Sequence, residues 1–510
     1  MQSSSFPDMM AVCPFECREE WVPPESSMQR HLVNLQGRRA RRAAGVLLTT
    51  ALVAAGVTGC VRYQAKPLAA AKVAADYGAR SLAEPGLRAF LETARVTREW
   101  PRRTWDLEAL TLAAFYFSPE LDVARAQWST AHAGLRTAGQ RPNPTVTASP
   151  QYNTTMITPS PWGMALNLDV PIETAGKRGH RMARARHLSD AAKLNIAATA
   201  WQVRARLRRA LVDYHAASEQ ERLLAAQQAA QEQSVKLLEG QLAAGAVSAA
   251  EVTREHIALD TTRLAAHDAK RQRAESRVAL AEAIGVPVGA LDGMELSFIG
   301  LDSMPPDLDS PTARRQALLN RADVLAALSE YAASEAALRL EIAKQYADIH
   351  LNPGYEYDQG DNKWGVGLSL ELPVLNENQG PIAEAEARRT ESAARFRALQ
   401  ARVVAEIERS VAAYRTALEK SGTADSLLAN LEKQERLLRG KFEAGEISRN
   451  EVVTGQVELA AARLARADAL AKAQQALGQL EEALQSPFLL PADTPRLSQD
   501  PRISQTPRTP

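Results

Sequence analysis

The chain has 510 residues, of which 45% are hydrophobic and only 5% aromatic, and its 61 basic residues almost balance 60 acidic ones. Without a basic excess, or a basic patch interleaved with aromatic residues, the composition gives no indication of a nucleic-acid partner. A chain of this length corresponds to two or more compact domains unless it is elongated or repetitive.

Residues 28–60 have the pattern of a secretory signal. Arginines precede an apolar run at 43–57, and small residues lead from there into Cys60. The apolar run is too short for a membrane-spanning helix. We therefore predict that residues 1–59 are an N-terminal extension and a lipoprotein signal peptide, and that Cys60 is lipidated. Residues 60–105 are then predicted to be an extended segment that leads from this lipid anchor. The alternative is an ordinary signal peptide with an incidental cysteine.

The other two cysteines, Cys13 and Cys17, lie before Met28 in a stretch without apolar period. If translation starts at Met28, neither belongs to the protein, and both Met1 and Met28 are candidate starts. Two thiols cannot complete a zinc site, so we predict no metal site at this pair.

The body of the chain repeats itself at an offset of about 200 residues. LAAGAVSAAEV (242–252) aligns with FEAGEISRNEV (442–452). A period this long indicates a duplicated domain rather than a solenoid unit. We place the first repeat with its linker at 106–311 and the second repeat at 312–486, and predict a Pro-rich disordered tail at 487–510.

Each repeat is predicted to contain a helix, two strands, a very long helix and a final helix. The long helices, 177–243 and 380–443, would each extend about 95 Å at about 1.5 Å per residue. Helices of this length pack side by side, as in coiled coils. The other predicted elements are helices 106–140, 247–285, 312–347 and 447–486, and strands 144–157, 162–171, 348–358 and 364–374.

All four predicted strands alternate apolar residues with small or polar ones, which is typical of a sheet with two different faces. In WGMALNLDVP (162–171) and its counterpart WGVGLSLELP (364–373), the polar positions include Asn167, Asp169, Ser369 and Glu371.

Each strand has the length of one tilted strand of an outer-membrane barrel, and Trp162 and Trp364 stand at equivalent strand starts, as interfacial aromatic residues do. A water-soluble sheet packed on helices would also alternate, so that alternative stays open. In a membrane, four strands could not close a pore, and several chains would have to share one barrel.

The lipoprotein signal, the duplicated element order and the AGxxSxxEV motifs together resemble the TolC-like outer-membrane efflux family over about residues 105–486. WDLEALTLAAFYFSPELDVARAQ (105–127), GQRPNP (139–144) and PIETAGKRGHR (171–181) resemble the outer-membrane components of cobalt–zinc–cadmium cation efflux systems. That subgroup usually carries two adjacent glycines before the Lys-Arg pair, whereas this chain has Ala175-Gly176.

The resemblance implies a mainly α fold with a small membrane β-barrel contribution. Three copies would form a homotrimer with a twelve-stranded barrel in outer-membrane lipid and a long helical tunnel in the periplasm. The implied function is a passive efflux duct for heavy-metal cations, or for drugs, that works with a periplasmic adaptor protein and an inner-membrane RND-type pump. The residues that would face the barrel lumen are Asn167, Asp169, Ser369 and Glu371.

The hairpin tips are predicted at the two glycine breaks between paired helices. Glycine permits the backbone reversal, and a Ser-x-x-Glu capping box follows each break. The residues assigned to the tips and to adaptor docking are Gly245, Ser248, Glu251, Gly445 and Ser448. The resemblance also implies that Glu451 lines the pore constriction as a ring of three carboxylates. Thr454 stands where the family often has a second acidic residue.

No enzyme motif is visible in the sequence, so we predict a protein that is not an enzyme, without a cofactor apart from the lipid on Cys60. The eight histidines are scattered without ligand spacing, and no metal site is predicted. The competing hypothesis is a lipid-anchored periplasmic coiled-coil adaptor or scaffold with its strands in a soluble domain. Such a protein more often has one helical hairpin than two duplicated ones.

Overall fold

The computed structural model describes residues 63–93, 100–155, 160–301, 304–305 and 311–486, without the side chains of residues 311–313 and 316. The chain divides into two compact units, residues 1–73 and 74–510. The described part of the first unit is residues 63–73. The predicted signal peptide, Cys60 and the predicted tail at 487–510 lie outside the described residues.

The segment that precedes the first repeat is partly helical rather than extended as predicted. It contains α1 (Ala70–Gly78), α2 (Pro85–Thr93) and the short strand β1 (Thr104–Trp105). Leu87 and Leu91 of α2 are fully buried, and the Arg80 guanidinium donates to the carbonyl oxygens of Phe117 and Gly285 at 3.0 and 2.7 Å. Apolar burial and these hydrogen bonds to buried carbonyls hold residues 80–91 on the first repeat.

The first repeat contains α3 (Leu107–Phe117), α4 (Pro119–Gly139), β2 (Thr145–Tyr152), β3 (Trp162–Ile172), α5 (Lys177–Ala243) and α6 (Ala249–Ile284). The prediction of one helix over 106–140 is wrong, because the chain breaks at Ser118. The Ser118 hydroxyl accepts the Leu121 N–H at 3.3 Å, and Pro119 occupies the first position of α4, where its missing N–H is harmless. After α6, β4 (Glu295–Leu296) pairs with β1 in parallel.

The second repeat contains α7 (Pro311–Asn320), α8 (Ala322–Ala343), β5 (Ile349–Asp358), β6 (Asp361–Leu370), α9 (Gln379–Glu443) and α10 (Arg449–Leu484). The predicted helix 312–347 is also divided, at Arg321. The backbone of Arg321 is extended, and its guanidinium donates to the Ala483 carbonyl oxygen at 2.6 Å. This contact ties the break to the end of α10.

The last strand begins three residues earlier and ends earlier than predicted. β5 and β6 are joined by a two-residue turn at Gln359 and Gly360, whose φ angles of 51° and 119° are both positive, as a tight hairpin requires. Trp364 therefore lies inside β6, and only Trp162 starts its strand. Pro373, which cannot donate to a strand ladder, follows the end of β6.

The four longer strands form one antiparallel sheet in the order β2-β3-β5-β6, so the β3–β5 pairing joins the two repeats. The long helices pack around two apolar clusters, one in each repeat. The first includes Leu110, Leu207, Leu280 and Ile284, and the second Val403, Ile407, Leu477 and Leu480. Among the described residues, no helix is long and apolar enough to cross a membrane.

Candidate functional site

Strand pairing gives the four-stranded sheet one apolar face, because directly opposed residues of an antiparallel pair lie on the same side. Trp364, Val366 and Leu368 are 73–82% exposed, so the helices in the described part of the chain do not cover this face. Within the described residues, the arrangement is therefore not that of a sheet packed on its own helices. The face is an interaction surface, and it carries Val146, Tyr152, Trp162, Met164, Leu166, Tyr355, Trp364, Val366 and Leu368.

The opposite face of the sheet is polar and hydrogen-bonded across strands. Asp169 of β3 accepts a hydrogen bond from His350 Nδ1 of β5, at 2.9 Å. The Asn352 amide donates to Ser369 Oγ of β6 at 3.1 Å. The predicted lumen residues Asp169 and Ser369 therefore lie on the same face of the sheet. His350 connects them, because it contacts Asp169 and pairs with Ser369 in the β5–β6 register.

The two remaining predicted lumen residues differ in their placement. Asn167 lies over Gly354 of β5, and its Oδ1 atom occupies the space that a Cβ at residue 354 would take. Glycine at 354 thus lets the Asn167 side chain approach the β5 backbone closely. Glu371 follows the end of β6 at Leu370 instead of lying within the strand as predicted.

The PIETAGKRGHR stretch forms a network at the junction of the sheet with the helices. Lys177 Nζ donates to Asp348 Oδ1 at 2.8 Å and to the Tyr346 carbonyl oxygen at 2.6 Å, and the Thr174 N–H donates to Asp348 at 2.9 Å. Burial raises the pKa of Asp348, but the hydrogen bonds from Lys177 and Thr174 outweigh it and bring that pKa below its ordinary value. The stretch thus ties the start of α5 to the start of β5.

Arg178 and Arg181 extend this network towards α4. Arg178 Nε donates to the Gly139 carbonyl oxygen at 2.8 Å, and Arg181 makes a two-point ion pair with Glu173. The PIETAGKRGHR stretch, on which the subgroup resemblance partly rests, therefore has a structural role: it connects the sheet to the helices.

Replacement of Ala175 by glycine is expected to stabilise the folded protein by about 0.5–1 kcal/mol. Ala175 has a φ of 51°, in the left-handed region that penalises a residue with a Cβ. Unfolding in detergent would measure the gain. Ala183→Gly, inside α5, is the matched control and should lose about 1 kcal/mol. A destabilised Ala175→Gly variant would contradict the prediction.

The two helical hairpins end in the same backbone motif. At the first tip the N–H groups of Gly245 and Ala246 donate to the carbonyl oxygens of Leu242 and Gln241, at 2.9 and 2.8 Å. At the second tip Gly445 and Glu446 make the corresponding bonds, each at 2.9 Å. This is the Schellman arrangement, which satisfies the last carbonyls of a helix when the residue after the cap is left-handed.

A capping box starts the return helix at both tips. The Ser248 N–H donates to the Glu251 carboxylate at 3.1 Å, and the Glu251 N–H donates to Ser248 Oγ at 3.3 Å. At the second tip the Ser448 N–H and hydroxyl both donate to the Glu451 carboxylate, at 3.2 and 3.1 Å. In the single chain Glu451 is therefore an exposed helix-capping residue, which is the role that the sequence pattern predicts for it.

Gly445→Ala is expected to destabilise the second tip by about 1 kcal/mol, because φ at Gly445 is 75° and a Cβ disfavours that conformation. Gly440→Ala, five residues earlier inside α9, should instead stabilise the hairpin by up to about 1 kcal/mol, because alanine is favoured over glycine in a helix interior. Added Cβ atoms meet nothing within 4 Å at either glycine, so only the backbone conformation separates the two variants. Amide hydrogen exchange across the tip would measure both, and equal signs would contradict the prediction.

A buried polar network that the sequence analysis missed joins the two repeats. Arg204 Nη1 of α5 lies 2.9 Å from Glu481 Oε2 of α10, and these side chains are 4% and 0% exposed. Arg208 Nε lies 3.2 Å from the same oxygen, without hydrogen-bond alignment, and its Nη1 donates to the Gln474 carbonyl oxygen at 2.7 Å. Arg204 and Arg208 are four residues apart within the apolar stripe of α5, and this spacing is the sequence signal that could have revealed the network.

The sequence profile of the outer membrane efflux protein family matches residues 115–286 and 313–485. The chain belongs to this family. The two matched stretches cover α4–α6 of the first repeat and α8–α10 of the second, so the family assignment extends over both hairpins and the whole four-stranded sheet.

The cobalt-zinc-cadmium resistance protein CzcC of Cupriavidus metallidurans is 22% identical to this chain over 284 residues, which are 55% of this chain and 65% of that relative. The match thus spans less than two thirds of the relative's length.

Two solved channels of the outer membrane have the same fold. The Campylobacter jejuni CmeC outer membrane channel superposes with a TM-score of 0.61 at 15% identity, covering 74% of this chain and 85% of that one. The open state of the Neisseria gonorrhoeae MtrE outer membrane channel gives 0.61 at 16% identity, covering 74% and 89%. The predicted family and the predicted mainly α fold with a small sheet are confirmed, and the sheet is open in the single chain.

Among the described residues, no group of three or more His, Cys, Asp or Glu side chains converges where it could hold a metal ion.

Proposed function

We propose that this protein is a passive outer-membrane duct built from three copies of the chain. The observation that carries the proposal is the open sheet, whose apolar face is exposed and whose outer strands β2 and β6 have no neighbour on one side among the described residues. Unpaired strand edges are not tolerated in lipid, and closure removes them. Three copies would supply twelve strands, enough for a closed barrel with a water-filled lumen.

In this assembly the apolar face contacts outer-membrane lipid and the polar face lines the lumen. Asn167, Asp169 and Ser369 would line it directly, and Glu371 would stand just beyond the end of β6. The hairpins α5–α6 and α9–α10 would extend into the periplasm. The lipid anchor at Cys60, in a mature chain that begins there, belongs to the same proposal.

The hairpin tips would dock a periplasmic adaptor protein, which couples the duct to an inner-membrane RND-type pump. Gly245, Ser248 and Glu251 form the first docking tip, and Gly445 and Ser448 the second. Three Glu451 carboxylates would form the ring that narrows the entrance. Such a ring favours cations, which agrees with the metal-resistance relative, so heavy-metal cations are the proposed cargo.

Membrane fractionation tests the duct against the adaptor or scaffold hypothesis. We expect the protein in the outer-membrane fraction as a detergent-stable trimer that conducts ions in planar bilayers. A Cys60→Ala variant should keep the trimer, because one acyl chain only tethers the N-terminus. Release of that variant by carbonate or high salt would favour the adaptor hypothesis. For the cargo, deletion should sensitise cells to zinc or cobalt, and unchanged sensitivity would contradict the assignment.

A further inference from the structure

A cavity of about 420 Å³ lies at the junction of the sheet with the helices, next to the polar face. His350 of β5 lines it, together with Glu371 just after β6. Asp348, Asn376 and Asn378 add side-chain oxygen atoms to the wall, which also includes Lys177, Lys344 and an apolar stretch at 372–375. The cavity thus combines an imidazole with several oxygen donors.

The orientation of His350 is set by Asp169. Nδ1 of the imidazole lies 2.9 and 3.1 Å from the two carboxylate oxygens of Asp169. An ionised carboxylate only accepts hydrogen bonds, so the proton of the neutral ring must be on Nδ1. The lone pair is therefore on Nε2, which has no hydrogen-bond partner among the described residues. Histidines that bind metal ions usually donate their other ring N–H to a carboxylate or carbonyl in this way, so His350 has the orientation that a metal ligand needs.

The charges around the cavity leave one carboxylate without a counter-charge. Lys177 is neutralised by Asp348 at 2.8 Å, and Lys344 by Glu341 at 2.8 Å. The Glu371 carboxylate makes no ion pair or hydrogen bond with the described part of the chain. Since Ser369 pairs with His350 in the β5–β6 register, Glu371 stands two residues beyond that pair, at the same end of the sheet.

We propose that His350 Nε2 and the Glu371 carboxylate bind a divalent transition-metal ion in transit, with water completing its coordination, and that Asp169 is the positioning residue. One nitrogen and one oxygen ligand suit zinc or cobalt better than magnesium, which prefers oxygen alone. Two protein ligands make a weak site, which suits a passage that must release its cargo. The inference rests on the proposed duct function, and it departs from the sequence-based prediction of no metal site.

Carbethoxylation of histidines, read by peptide mass spectrometry on the intact trimer, tests the site. The reagent attacks unprotonated imidazole nitrogen, so Zn²⁺ bound at Nε2 should slow modification of His350, whereas Mg²⁺ should not. His256, whose Nε2 lies 3.1 Å from Glu239 on the helical hairpin, is the internal reference. Equal modification rates of His350 with and without Zn²⁺ would overturn the proposal.

Two variants distinguish the proposed metal ligand Glu371 from the proposed positioning residue Asp169. Glu371→Gln should remove most of the Zn²⁺ protection of His350. Asp169→Asn should raise the Zn²⁺ concentration needed for protection by about 10-fold, the lower end of the range for lost carboxylate partners of metal-bound histidine. Full protection in both variants would contradict the assigned ligands.

The channel itself is assessed separately by conductance of the same trimer in metal-free solution. A conducting trimer without Zn²⁺ protection of His350 would overturn the site and leave the duct intact. A protein that forms no membrane trimer would overturn both the duct and the role of His350 in transit.

Discussion

Replacement of Glu481 by glutamine is expected to cost the folded protein about 3–5 kcal/mol, because it removes one partner from a buried ion network. Glu481 is fully buried and its carboxylate lies next to two guanidinium groups, those of Arg204 and Arg208. Burial lowers the pKa of Arg208, and the charge of Glu481 opposes that effect. Without the carboxylate, two buried cations repel each other in a poorly hydrated interior.

The surroundings of Arg208 prevent it from escaping to solvent. Its Nη2 donates to Gln474 Oε1 at 3.0 Å, and Gln474 in turn donates to the Leu301 carbonyl oxygen at 2.8 Å. Gly478 provides the space, because a Cβ there would come within 2.9 Å of Arg208 Nη1. The cation is therefore confined, and the loss should appear as reduced stability rather than as a local rearrangement.

Unfolding of detergent-solubilised protein would measure this loss. Glu391→Gln is the matched control, since Glu391 pairs with Arg395 on the exposed surface of α9 and should contribute only about 0–1 kcal/mol. Replacing Arg204 and Arg208 by methionine together with Glu481 by leucine should recover much of the stability, as apolar replacement of whole buried ion networks often does. Equal stability of the Glu481→Gln and Glu391→Gln variants would contradict the prediction.

Val366→Arg should strongly reduce assembly in the outer membrane, with a cost of about 2–4 kcal/mol per chain for a cation at mid-membrane depth. Val366 lies in the middle of β6 on the exposed apolar face. Three copies would place three cations against lipid. The yield of detergent-stable trimer in the outer-membrane fraction is the measurement.

Gly365→Arg is the control for this variant. Gly365 is adjacent in β6, lies on the polar face, and has open space for a side chain. Its replacement should leave assembly near the wild-type level and alter conductance. If Gly365→Arg blocked assembly and Val366→Arg did not, the two faces would have been assigned to the wrong sides.

The long helices could be predicted from the sequence almost to the residue. α5 runs over Lys177–Ala243 as predicted, because apolar residues recur at three- and four-residue steps along it and Gly245 marks its end. The alternation of WGMALNLDVP likewise predicts β3 correctly, since only one face of the strand is apolar. Both predictions rest on the regular spacing of apolar residues within a single segment.

Features that depend on distant segments could not be predicted in this way. Nothing local to Arg204 indicates that Glu481, in the other repeat, will face it. The short turn at Gln359 was missed because glutamine rarely adopts positive φ, and the break at Arg321 depends on the carbonyl of Ala483. The role of Glu451 in the pore depends on neighbouring copies, so it stays a prediction.

The free edges of β2 and β6 have a consequence for how the proposed trimer would form. A pair of chains still has one unpaired edge at each end, the same number as a single chain, so joining two copies does not remove the cost of open hydrogen-bonding groups. Only the third copy removes both edges at once. Assembly should therefore be strongly cooperative, with monomers and closed trimers populated and dimers scarce. Until closure, the apolar face of each monomer would stay exposed.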